Sequence, residues 1–205
     1  MFIPTINQMT DKAEIIAFMT RFSFATIVNN AAGVPVATHL PFQVTERDGQ
    51  VVLTAHFAKA NDQWQEIEKG RSLVIFNEPH AYVSPRHYEN QLQVPTWNYV
   101  AVHAYGQATL ITDPAAVMKV LEDTILTYEA GYLQQWSGLP DSFRQKMMNG
   151  LVAFEIVVDD LQAKKKLSQN KTVQEQKSII RELSASEDTN AVVTAEYMQR
   201  EIPRE

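Results

Sequence analysis

The chain has no cysteine, which removes disulfides, thiolate metal sites and cysteine nucleophiles together. Its seven glycines stand singly, so neither a GxxxxGKS/T phosphate loop nor a GxGxxG dinucleotide turn is present. There is no HExxH, and the five histidines fall at no metal-ligand spacing within a helix. A GxSxG nucleophile elbow is also missing. Glu78, Glu89 and Glu155 lie far apart in sequence, so no acid–base pair can be argued. No apolar run approaches the roughly 20 residues needed to cross a membrane. The opening MFIPTINQMTDKAE carries no basic segment followed by an apolar stretch, so the expectation is a cytoplasmic protein with no membrane partner. Positive charge is scarce as well. The net charge is −6, whereas proteins that grip nucleic acid present a clustered basic face to release counterions from phosphates. Direct DNA binding is therefore disfavoured.

What remains is a chain of ordinary globular make-up, 45% hydrophobic and 20% charged over 205 residues, enough to bury a substantial core. The expected division is one domain over residues 1–183 and a polar, mobile tail over 184–205. Asp11 and Glu14 resemble a capping box before a helix reaching about Phe22. Strands are predicted over 22–28, 36–42, 51–57, 73–76, 96–111 and 151–158. The polar turn Glu46-Arg47-Asp48-Gly49 joins the second and third. Asn61 caps a short helix over 62–69, and Asp113-Pro114 opens a longer one through about Glu129. Residues 131–140 read as loop, 142–148 as a short helix, and the stretch beyond Asn170 as helical. Strands outnumber helices and follow one another with short links. That pattern predicts a mainly β, α+β fold, an antiparallel barrel decorated by helices.

The strand faces carry the functional signal, because side chains alternate along a strand. One face of 96–111 reads Asn98, Val100, Val102, Ala104, Gly106, Ala108, Leu110, small and mostly apolar as a narrow barrel interior requires. The other reads Trp97, Tyr99, Ala101, His103, Tyr105, Gln107, Thr109. Its aromatic, charge-depleted composition fits a subunit interface or a platform for a flat ligand, or else a face covered by a helix. If neighbouring strands set His39, Thr54 and His56 on one outer face, that face is polar yet uncharged at neutral pH. Lys59, beside the Asn61 cap, is a candidate phosphate anchor. The run KKKLSQNK, Lys164 to Lys171, stands out in an acidic chain. It could serve nucleic acid, a phosphate-bearing ligand or only solvent.

Five segments carry a family resemblance: THLPF (38–42), AHFAKAND (55–62), AYVSP (81–85), VPTWNYVAVHAYG (94–106) and KLSQNK (166–171). In this order the chain resembles the PaiB-like FMN-binding negative transcriptional regulators, built on the FMN-binding split barrel shared with pyridoxamine-phosphate oxidases. The resemblance implies a homodimer with FMN at or near the subunit interface. It places the phosphate around Thr54, Ala55, His56 and Lys59, and the isoalloxazine edge along Thr38, His39 and Leu40. Trp97, Asn98, Lys166, Ser168, Gln169 and Asn170 would close the site, while Lys164 and Lys165 would be solvated. One departure stands out: Ser84-Pro85-Arg86-His87-Tyr88 carries His87 where the family pattern has an aromatic. The alternatives are a flavin-dependent oxidoreductase using the same site, whose cofactor would supply the chemistry, and a split-barrel haem binder with a histidine ligand.

Overall fold

The structure, a computed structural model, describes residues 1–89 and 92–202. In chain order the elements are α1 (Lys12–Arg21), β1 (Phe24–Ala31), β2 (Val34–Pro41), β3 (Gln43–Arg47), β4 (Gln50–Ala58), β5 (Arg71–Phe76), β6 (His80–Val83), β7 (Thr96–Ile111), α2 (Pro114–Glu129), α3 (Tyr132–Gly138), α4 (Asp141–Asn149), β8 (Leu151–Lys166), α5 (Val173–Ser184) and α6 (Thr189–Glu201). The strand order is β2-β1-β5-β7-β8-β4-β3, with β6 paired to β7. The β1–β2, β1–β5, β3–β4, β4–β8 and β6–β7 pairs are antiparallel. β2 and β4 approach within 8 Å between Cα atoms without pairing.

The contacts divide the chain into two compact units. The larger holds residues 16–76 and 103–161, and the smaller 1–15, 77–102 and 162–205. In the larger unit, alternate residues of the strands send Phe57, Phe76 and Phe154 fully inward, joined by Phe42 from the β2–β3 link. Phe57 and Phe154 stack with centroids 4.9 Å apart, and Phe42 meets Phe76 and Phe154 edge-on at 6.1 Å, in the offset arrangements aromatic quadrupoles favour. Helix α2 starts where Asp113 accepts the Ala116 N–H (2.8 Å) with Pro114 at the first helical position. Gln43 ties that helix to β3 through the Val120 carbonyl (3.0 Å) and the Thr124 hydroxyl (2.8 Å).

Several expectations change here. β3 was read as part of a turn; the Asp48-Gly49 pair, both at positive φ (52° and 77°), instead closes a tight β3–β4 hairpin. Residues 132–138 form helix α3 despite flanking glycines, because Trp136 is buried. The short helix at 62–69 is two 3-10 turns. β8 runs on to Lys166, so the three lysines lie on a strand and not in a loop. The supposed tail contains helix α6, capped by Asp188 and burying Ala191, Thr194, Ala195, Tyr197 and Met198; its residues 203–205 lie outside the described residues. That packed face is built from alanine and threonine, which composition alone reads as polar. Among the described residues no helix is long and apolar enough to cross a membrane.

Candidate functional site

In the larger unit, β2 and β4 carry the first group of predicted residues. β2 ends the strand order, which leaves backbone N–H and C=O groups along one edge without ladder partners. Its neighbours are not as the face argument supposed: β2 pairs only with β1, and β4 lies between β3 and β8. His39 therefore faces Thr26 of β1, whose hydroxyl lies 2.8 Å from Nδ1, and stacks with Phe24 at 6.3 Å. Thr38 turns the other way. Its hydroxyl donates to Gln63 Oε1 (2.6 Å) and accepts from Asn61 Nδ2 (2.9 Å). Gln63 in turn donates to Asn29 Oδ1 at 2.6 Å, so Thr38 belongs to a polar tie that pins the 3-10 turn to the sheet. Leu40 and Ala55 point into the core; only their backbones can serve a ligand.

On β4, Thr54 and His56 share one face by alternation, with Lys59 just beyond the strand. Burial pushes the His56 imidazole below its ordinary range, so it is neutral at pH 7. The acid opposite Thr54 in register, Glu155, is held by Arg47 through two bonds of 2.8 and 3.1 Å. The Lys59 side chain is exposed and pairs with no carboxylate among the described residues. Beside Lys59 the expected helix is a short 3-10 turn. The 3-10 turn spans only Asp62–Gln65, and the Asn61 side chain already accepts the Gln63 N–H at 3.1 Å. What remains is a cation with no carboxylate partner among the described residues, beside neutral hydrogen-bonding groups and an open strand edge. That donor set fits a flavin nucleotide, whose phosphate needs a counter-charge and whose ring edge needs backbone partners.

The smaller unit holds the rest. Trp97 is 53% exposed and forms an aromatic ledge with His80 (5.7 Å) and Tyr82 (6.0 Å) over a cavity of about 570 Å³. Arg86 and Glu182 pair across that cavity. His87 lines it too, its imidazole lowered by burial and by the Arg86 charge. Asn98 is fully buried. Its Oδ1 accepts from the Ser168 hydroxyl (3.0 Å), and its amide reaches Met198 Sδ (3.3 Å). Gln169 closes its own turn, accepting the Leu167 N–H (2.7 Å) and donating to the Lys165 carbonyl (2.6 Å). Asn98, Ser168 and Gln169 thus latch β7, the turn after β8 and α6 together, and with Lys166 and Asn170 all three also line a cleft of about 350 Å³.

The lysine run is not a solvated patch. Lys164 is 7% exposed, donates to the Phe2 carbonyl (3.3 Å) and sits 5.0 Å from the Tyr99 ring centroid. Lys165, on the opposite face of β8, is clamped between Glu14 (2.9 Å) and Glu201 (2.7 Å). Lys166 donates to the Thr96 hydroxyl and to the Trp97 carbonyl. Strand alternation and far-apart partners explain the correction: side chains separated by some 150 positions in sequence meet on β8. Sequence reasoning also missed Tyr88 and Lys171 as cleft residues. Lys171 closes the KLSQNK segment, so its signal was present.

Against known families, residues 1–160 match the model described as "Putative FMN-binding domain". Over the full length of both chains, this protein is 36% identical to "Protease synthase and sporulation protein PAI 2" of Bacillus subtilis (strain 168). Among solved structures, it resembles an FAD and heme binding protein of Mycobacterium smegmatis (TM-score 0.63, 18% identity, covering 84% of this chain and 79% of that one). It also resembles the flavocytochrome Anf3 of Azotobacter vinelandii (TM-score 0.62, 17% identity, covering 76% and 67%). At such identities the structural likeness establishes the split-barrel fold alone. The match over residues 1–160 and the full-length relative establish more: this chain belongs to the FMN-binding domain family.

Proposed function

We propose that the protein binds FMN and acts in negative control of gene expression, as the PaiB-like regulators it resembles are described to do. The full-length match to the PAI 2 protein is the observation that carries this reading. The unpaired Lys59 cation and the open β2 edge support flavin as the ligand. In this reading Lys59 faces the phosphate, Thr54 and His56 donate hydrogen bonds nearby, and the backbone of Thr38, His39 and Leu40 receives the ring edge. The flavin, once bound, supplies the redox chemistry; these residues orient it and neutralise its charge. Control of transcription is indirect in this account, because the lysines that could have met DNA are consumed within the fold.

Lys59→Ala is expected to weaken FMN binding about tenfold, the value of one charge-assisted contact of roughly 1.5 kcal/mol. Titration of FMN into flavin-free parent and variant reads this directly, and equal affinities remove Lys59 from the site. We also propose a homodimer. Leu92, Val94, Tyr82 and Trp97 are exposed apolar side chains of the smaller unit, and such aromatic, uncharged groups are what subunit interfaces enrich. Sedimentation at micromolar concentration is expected to give a dimer that Trp97→Ala weakens. A parent that sediments as a monomer contradicts it.

A further inference from the structure

The cleft beside Lys166 lies wholly within the smaller unit and has an unusual lining for an acidic chain. It contains Lys166 and Lys171, and among the described residues no carboxylate lines it. Counting donors shows what is left over. An ammonium has three N–H donors. Lys166 uses two, on Thr96 and the Trp97 carbonyl; Lys171 uses one, on Gln93 at 2.8 Å, and lies 3.9 Å from the Tyr88 ring centroid. The Tyr88 hydroxyl, on a residue 8% exposed, has no hydrogen-bond partner among the described residues. A buried hydroxyl left without a partner is unfavourable. Glu175, whose charge acts on Lys171, has its own oxygens engaged: it accepts the Glu89 N–H and, in the α5 capping box, the Thr172 N–H, both at 3.1 Å. Burial also holds the Lys166 ammonium below its ordinary range, the state of a cation lacking an anionic partner.

We propose that this cleft is a binding site for the oxyanion of a small molecule, a carboxylate or a phosphate, held by the spare N–H groups of Lys166 and Lys171 and by the Tyr88 hydroxyl. At about 350 Å³ it sits near the lower end of the range for ligand pockets, roughly 300–1,000 Å³, which suits a compact acid. The inference rests on the reading that the flavin sits at β2, β4 and Lys59 of the larger unit, because the family resemblance counts Lys166 and Asn170 among the flavin's own residues.

The test is calorimetric titration of inorganic phosphate, and separately of acetate, into the full chain loaded with FMN. At least one anion is expected to bind saturably at one per chain, and the preferred one identifies the source. Lys166→Gln and Lys171→Gln should each weaken it about tenfold, while Lys119→Gln, which changes the net charge equally at a distant ion pair, should not. Tyr88→Phe should weaken the anion yet melt no lower than the parent in anion-free buffer, because it deletes an unpaired hydroxyl. The proposal is overturned if neither anion saturates, or if both lysine variants bind as the parent does. It is also overturned if phosphate displaces FMN and the same two variants lose FMN affinity, which would make the cleft part of the flavin site.

Discussion

Gly106→Ala is expected to lower the stability of the protein by about 3 kcal/mol, at the upper end of the cost of forcing a methyl group into a packed core. In β7 this glycine faces β8 so closely that a Cβ would overlap the Val157 carbonyl oxygen and lie 2.7 Å from Ile156 Cγ2. The first obstacle is backbone, which cannot rotate away, so the strands must separate. Its φ is not in the left-handed region; the requirement is space and not conformation. Denaturant unfolding of the variant should show a lowered midpoint with little change in slope. Unchanged stability would show that β7 and β8 do not pack at this distance.

Lys165→Met is expected to cost about 2 kcal/mol and to loosen α6. Removing the ammonium leaves Glu14 and Glu201 facing one another without their shared counter-charge. Breaking a fully buried pair costs about 3–5 kcal/mol. The three side chains here keep 16–34% exposure, so solvent screening lowers the figure. Burial pulls the Lys165 ammonium down, but its hydrogen bonds to Glu201 and Glu14 outweigh that and hold it above its ordinary range. A lysine raised in the folded state stabilises the fold in full below its unfolded value, about 10.4. That contribution is lost as pH rises through the higher folded value. The gap between parent and Lys165→Met should therefore be constant near neutral pH and close only in strong alkali. Hydrogen exchange should show α6 amides opening first in the variant. Combining it with Glu14→Gln should recover part of the loss.

At low pH the histidines act in the opposite direction. His56 and His103 are both lowered by burial. The unfolded chain takes up their protons first, and stability declines as pH falls below about 6.5. Thermal melts from pH 7 to 5 in the parent and in His56→Gln read the share of one such group.

The most legible elements were those with both ends marked. β7 and α2 fall over 96–111 and 114–129 as predicted, because Asp113-Pro114 stops a strand and starts a helix in two residues. The small, apolar face of β7 is buried throughout from Asn98 to Ala108, and its aromatic face is half-exposed. Less legible were elements stabilised by partners distant in sequence. β8 beyond Val158 is polar because Asp159 meets Arg71 and Lys165 meets Glu14 and Glu201, and neither pairing has a local signature. α6 hides its packing face in alanine and threonine. The same holds for the candidate site. Its segments could be picked out from their motifs. Yet whether Asn98, Ser168 and Gln169 meet a ligand or each other depends on a fold that brings residues 98 and 168 to 3.0 Å.

Flavin binding is the claim on which the rest turns, and one spectrum addresses it most directly. The purified full chain is mixed with excess FMN, passed over a desalting column and scanned through the visible range. The account predicts flavin bands in the protein fraction at about one FMN per chain, with a reduced share retained by Lys59→Ala. A colourless parent fraction, with all FMN in the small-molecule volume, would contradict it.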